Sequence, residues 1–180
     1  MKSMVRTMGL AAALAFAAVP AQAQDLGWYA GGGLGMFTLD SGVGSDTVLG
    51  GYASLGADVN ENVGAELRLG KTGTGSTPAF GFNVNYGIDY FLSAFGKVQF
   101  PVTGDLNLYG LLGFTYAKAS ASVSSPVLLA GVRNSGTNTS FSFGLGGDYR
   151  FTDNLRAGLE WVAYASDVSG LAATIKFDLQ

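Results

Sequence analysis

The segment FGFNVNYGIDYFLSAFGKVQF, Phe80 to Phe100, changes side-chain character at every second residue. Phe80, Phe82, Val84, Tyr86, Ile88, Tyr90, Leu92, Ala94, Val98 and Phe100 hold the even positions; Asn83, Asn85, Asp89, Ser93, Lys97 and Gln99 hold odd ones. Successive side chains of a strand point to opposite faces, so this period of two predicts one apolar and one polar face. The alternation reads as a single strand without a slip. It is about twice the roughly 9–11 residues that a barrel strand needs to cross a bilayer, so its first half is expected to project beyond the membrane or bend. Phe91 and Phe95 fall on the polar face, where the pattern offers them no role except to fill an interior.

The same period runs outward in both directions. Toward the N-terminus, strands are expected over Gly27 to Leu39, Val48 to Val59 and Val63 to Gly70. Toward the C-terminus they are expected over Leu106 to Tyr116, Phe141 to Phe151, Leu155 to Tyr164 and Leu171 to Leu179. Tight turns are predicted at Asn60 to Asn62, Pro101 to Asp105 and Thr152 to Asn154. Longer polar loops are predicted at Asp40 to Thr47, Lys71 to Ala79, Ala119 to Asn138 and Ser166 to Gly170. The third of these holds Pro126, Arg133 and an apolar patch, Val127 to Ala130. Eight strands whose connections alternate short and long match a membrane barrel, with short turns on one side and longer loops on the other.

Residues 1–23 are set apart as an export leader: Lys2 and Arg6 precede the apolar run Gly9 to Val19, and Ala21-Gln22-Ala23 forms an A-x-A cleavage site that leaves Gln24 first. Residues 24–180 then form one domain. Removing the leader takes away Lys2 and Arg6, leaving 8 basic against 13 acidic residues, a net charge of −5. That balance argues against a nucleic-acid partner, which calls for a basic face. Only 13% of residues are charged and mean hydropathy is +0.28, yet beyond the leader no apolar run approaches the roughly 18 residues of a membrane helix. A closed barrel is the other structure that satisfies all backbone groups inside lipid. With 28 glycines, helices would be weakened throughout.

Alternation alone also fits a soluble barrel with an apolar core. Aromatics separate the two readings, because they gather near the strand ends on the apolar face. Trp28, Phe100, Phe151 and Phe177 lie toward the short turns; Phe114, Tyr116, Phe141 and Phe143 lie toward the long loops. Two such girdles around an aliphatic band mark a lipid-facing exterior. The lumen would then carry Asp58, Glu66, Asp89, Asp148, Glu160 and Asp178 against Arg68, Lys97, Arg150, Arg156 and Lys176. An eight-stranded interior is just wide enough for side chains to fill, and buried charges must pair. A salt-bridged, closed lumen is expected, with a narrow gated pore as the alternative.

The chain has no histidine and no cysteine. Ser-His-Asp and Cys-His nucleophile systems, His-containing metal sites and disulfides are therefore excluded. No cofactor or metal site is predicted, and no enzymatic role. Gly64 to Thr72 ends like a phosphate loop, but five residues separate Gly64 from Gly70 where the motif needs four, and the segment alternates as a strand. The glycines from Gly31 to Gly35 resemble a dinucleotide fingerprint only loosely, and no helix follows them.

Gly27-Trp28-Tyr29-Ala30-Gly31-Gly32-Gly33-Leu34-Gly35 and the run from Phe100-Pro101-Val102-Thr103-Gly104-Asp105 to Gly113 resemble the opening strand and the central turn of the outer-membrane β-barrel domain family, which includes OmpA- and OmpX-type barrels. The resemblance implies an all-β, eight-stranded antiparallel up-and-down transmembrane barrel in a Gram-negative outer membrane. It implies outer-membrane lipid, lipopolysaccharide and the barrel-insertion machinery as partners, with an extracellular ligand at the loops. Two departures stand out. The last residue is Gln180 instead of an aromatic, and no peptidoglycan-binding domain follows, so tethering to the cell wall is not expected.

Overall fold

The computed structural model describes residues 26–40, 44–79, 82–124 and 132–179. They form nine strand segments: β1 Gly27–Asp40, β2 Ser45–Asp58, β3 Val63–Thr72, β4 Thr74–Ala79, β5 Phe82–Pro101, β6 Leu106–Ser124, β7 Val132–Thr152, β8 Leu155–Ala165 and β9 Val168–Leu179. β3 and β4 are two pieces of one stave broken at Gly73, and both pair with β5. Each stave lies antiparallel to its chain neighbours, and β1 also pairs with β9. The result is a closed eight-stranded all-antiparallel barrel. Closure leaves the barrel wall without a free edge, as a lipid environment requires.

Register sets the width. Following paired residues once around, from Gly27 through Asp58, Gly64, Lys97, Leu111, Gly144, Val162 and Gly170, returns to β1 at Phe37, ten residues beyond the start. Eight strands with this stagger tilt by roughly 40° and give a backbone radius of about 8 Å. That is about the width that inward side chains span.

Side-chain turns close two of the short connections. Asn60 Oδ1 accepts hydrogen bonds from the N–H groups of Asn62 and Val63, both at 2.8 Å. Thr103 Oγ1 accepts from Leu106 N–H at 3.0 Å. These local bonds satisfy backbone donors that the ladders do not reach.

The two faces separate as the alternation predicts. Leu34, Leu49, Leu69, Leu112, Leu145 and Leu159 are exposed on the outside, whereas Tyr29, Tyr52, Glu66, Arg68, Lys97 and Tyr109 are buried inside. Inner-face glycines leave space for rings on the paired strand. A Cβ on Gly33 would lie 2.7 Å from Tyr52 Cε1, and one on Gly146 would lie 2.5 Å from Tyr109 Cζ; each glycine is the direct cross-strand partner of that tyrosine. A ring lying over a glycine covers bare backbone. Gly146→Val is therefore expected to displace Tyr109 and destabilise the barrel by about 1–3 kcal/mol through overpacking, read as a lower urea midpoint for unfolding from lipid vesicles.

Several expectations are corrected. The alternation from Phe80 to Phe100 does slip: a bulge between Ile88 and Tyr90 shifts the register against β6. Below it even-numbered residues such as Leu92 face outward, while above it Ile88 is buried in the lumen. Lys71 to Ala79 is mostly strand, as the end of β3 and the whole of β4, and strand also enters the expected loops at Asp40 to Thr47 and Ser166 to Gly170, where β2 starts at Ser45 and β9 at Val168. Much of Ala119 to Asn138 is strand too, since β6 and β7 pair from Val123 with Val132 down to Leu106 with Tyr149. The leader, Pro126, the Val127 to Ala130 patch and Gln180 lie outside the described residues.

Candidate functional site

The candidate site is the lumen, built from inward positions of every stave. Its centre is Arg68 on β3. The guanidinium donates from Nη1 and Nη2 to Glu160 Oε1 and Oε2 at 2.5 and 2.7 Å, and from Nε to Glu66 Oε1 at 2.6 Å. Its Cζ lies over the Tyr52 and Phe95 rings, 4.5 and 4.8 Å from their centroids. A bidentate fork that also stacks on rings is a geometry available to arginine and not to lysine.

Tyrosine hydroxyls complete both carboxylates. Tyr52 and Tyr109 each donate to Glu160 at 3.0 Å, and Tyr29 donates to Glu66 at 2.6 Å while accepting from Lys97 Nζ at 3.1 Å. Toward the short turns a second cluster forms. Asp58 pairs with Lys97 at 2.7 Å and with Arg156 at 3.4 Å, and Arg156 also pairs with Asp178. Lys176 pairs with Asp148 at 3.0 Å and lies 4.2 Å from the Tyr109 ring centroid. Five acids thus meet four bases. Taking charges out of water costs several kcal/mol per ion, and such a cluster persists because each carboxylate has a cationic partner.

Nine of the eleven charged residues expected in the lumen join this network, and two do not. Asp89 is exposed, because the bulge carries it out of the inward frame; it accepts from Ser120 Oγ at 2.8 Å. Arg150 is also exposed, at the rim of the short-turn end, where pairing with β8 becomes irregular between Arg150 and Thr152. Tyr29, Tyr52, Tyr109 and Tyr164 are buried members of the site that the charge pattern does not single out; the signal available for them is that each shares the parity of the polar face of its strand.

Toward the loop end the network gives way to hydroxyls, then to hydrocarbon. Ser93 Oγ lies 2.7 Å from Thr115 Oγ1, and Ser142 Oγ lies 2.8 Å from both Thr115 Oγ1 and the Tyr164 carbonyl oxygen. Next, Phe91, Phe95 and Phe37 pack around Tyr164, at centroid distances of 5.1, 6.5 and 5.7 Å. This packing is the role of Phe91 and Phe95 that the pattern alone left open. Outside the barrel, Trp28, Phe100, Phe114, Tyr116, Phe141, Phe143, Phe151 and Phe177 all project from the outer face. Several pair across strands, Phe114 with Phe141 at 5.7 Å and Phe143 with Trp161 at 5.9 Å. Among the described residues, no group of acidic side chains has metal-binding geometry.

A closed antiparallel barrel with an apolar exterior and an ion-paired interior defines a small outer-membrane barrel protein. The chain belongs to the outer membrane protein beta-barrel domain family, whose family model matches residues 9–177. It is similar to the attachment invasion locus protein Ail of Yersinia pestis, at 19% identity and TM-score 0.59 over 84% of this chain and 97% of that one. Neisserial surface protein A is similar at 18% identity and TM-score 0.61, again over 84% and 97%. A de novo designed transmembrane β-barrel follows at 16% and 0.53, over 87% and 98%. Identities this low speak to the fold alone. No curated protein matches the chain. The protein resides in the bacterial outer membrane.

Proposed function

We propose that the protein is a non-enzymatic surface-interaction barrel that presents a protruding sheet at its extracellular end while its lumen stays closed to solutes. The observation that carries this reading is unequal strand length. β5, β6 and β7 have 20, 19 and 21 residues, against 11 and 12 for β8 and β9. Among the described residues, β7 before Phe143 pairs with β6 and not with β8. The exposed stretch Ser135 to Thr139 is thus a sheet edge standing above the barrel rim. Such an edge offers backbone donors and acceptors to an extended segment of a partner.

The remaining partners follow from the surfaces. The outer aliphatic band contacts outer-membrane lipid and lipopolysaccharide, and the eight outward aromatics seat at the two membrane–water boundaries. The barrel-insertion machinery receives the chain after the leader is removed behind Ala23. Ail has been crystallised with the heparin analogue sucrose octasulfate. The loop end here carries Asp40, Asp46, Asp89 and Asp167 against Lys71, Lys118 and Arg133, a balance that does not favour a polysulfate. A protein partner suits this end better.

The test displays the protein on a non-adherent laboratory strain and measures attachment to cultured epithelial cells. Thr137→Lys with Thr139→Lys, which places charges on the edge, is expected to abolish attachment while mobility still shifts on boiling. Attachment unchanged by both lysines would overturn the edge as the contact surface. Planar bilayers are expected to stay silent; discrete conductance steps altered by Arg68→Ala would replace the closed lumen with a gated pore.

A further inference from the structure

The loop end of the lumen holds an apolar cavity that the ionic network does not account for. It measures about 90 Å³ and is walled by Phe37, Ile88, Phe91, Ala117, Tyr164 and Val168. It continues past Ile88 and Val168 into an outer hollow of about 330 Å³ bordered by Leu39 and Tyr86. Most of the lining is hydrocarbon, and Thr115, Asn138, Ser140 and Asp167 are its polar members.

Two breaks in regular pairing build it. On β5 below the bulge, odd-numbered residues face inward, so unbroken alternation would aim Asp89 at this cavity. The bulge between Ile88 and Tyr90 sends Ile88 there instead and leaves Asp89 exposed. On β8 a second irregularity, between Ala163 and Ala165, adds Ala165 to the wall beside Tyr164. Bulges re-aim single side chains and gather next to binding sites. Here both favour an apolar wall in the same place.

The charge that lines the two spaces is of one sign. Among the residues lining the two spaces, the charged ones are Asp167, which is exposed, and Asp40. The walls also include the Phe37 and Tyr164 rings, stacked at 5.7 Å, which present apolar area to an alkyl chain or ring.

We infer that this cavity binds a small cationic amphiphile, its single alkyl chain or ring among Phe37, Ile88 and Tyr164 and its positive head at Asp167. The inference goes beyond the sheet-edge reading and does not depend on it.

The chain carries a built-in probe and control, since its two isoleucines are Ile88 in the cavity wall and Ile175 on the exposed outer face. Protein with ¹³C-labelled isoleucine methyls, in nanodiscs of deuterated lipid, is titrated with hexyltrimethylammonium. The expected result is a saturable shift of the Ile88 methyl with nuclear Overhauser contacts to the hexyl protons, and no change at Ile175. Hexanoate, with a chain of similar length and the opposite charge, is expected to bind about tenfold more weakly. Asp167→Asn should narrow that difference, and Ala165→Phe, which fills the cavity, should remove saturation in protein whose mobility still shifts on boiling. Should Ala165→Phe not fold, the wild-type titration decides. No contact at Ile88, or parallel non-saturating shifts at both isoleucines, would mean bilayer partitioning alone and overturn the site. Equal binding of hexanoate would overturn the cationic head.

Discussion

Arg68→Ala is expected to lower the stability of the folded barrel by about 3–5 kcal/mol, the usual result of removing one partner from a buried ion pair. The reason lies in what remains. Glu66 and Glu160 would stay buried with tyrosine hydroxyls as donors, but without the fork that donates to both, at 2.6 Å to Glu66 and at 2.5 and 2.7 Å to Glu160. Urea unfolding from lipid vesicles measures the loss. Replacing the whole set, as Glu66→Gln, Arg68→Met and Glu160→Gln together, is expected to recover most of it, because apolar or neutral substitutes avoid the desolvation cost of the ions. A single variant within about 1 kcal/mol of wild type, the size of an exposed pair, would show that the cluster is hydrated and not a structural centre.

Leu159→Arg is expected to cost about 2–4 kcal/mol in the same assay, the range for a cation at the midplane of a lipid-facing barrel wall. Leu159 pairs with Gly147 and Ala173 near the middle of β8, and its side chain is 65% exposed on the outer face. The same change at Phe177, near the short-turn end, should cost about 0–1 kcal/mol, because the penalty falls toward the interface. Depth dependence is the informative quantity. An exterior facing water would give small and equal effects at both positions, and the outward assignment of the apolar face would fail.

Much of the site is legible in the sequence, and the exceptions have identifiable causes. Strand parity placed Glu66, Arg68, Lys97, Asp148, Arg156, Glu160, Lys176, Asp178 and Asp58 inside, and nine network members follow from it. Asp89 went astray because the bulge beside it leaves no trace in the pattern. Tyr86 and Ile88 on one side of it and Tyr90 and Leu92 on the other are all even-numbered and apolar, so the alternation looks continuous across a change of face. Arg150 failed for a related reason: pairing with β8 becomes irregular beside it, at the end of β7. The loops at Lys71 to Ala79 and Ala119 to Asn138 read as irregular because Gly, Ser and Thr dominate them. Pairing with β5, and of β6 with β7, extends the ladders regardless.

The order of residues along the chain was enough to establish an eight-strand closed barrel, the division into a lipid side and an inner side, and the absence of histidine or cysteine chemistry. Those properties follow from period, composition and turn spacing, all of which act within a few residues. The pairing of Arg68 with Glu160, 92 positions away, was settled only by closure and stagger, which choose the side chains that meet across an interior about 16 Å wide between backbones. The same holds for the apolar mouth. It arises where two local irregularities, far apart in the chain, come to face one space.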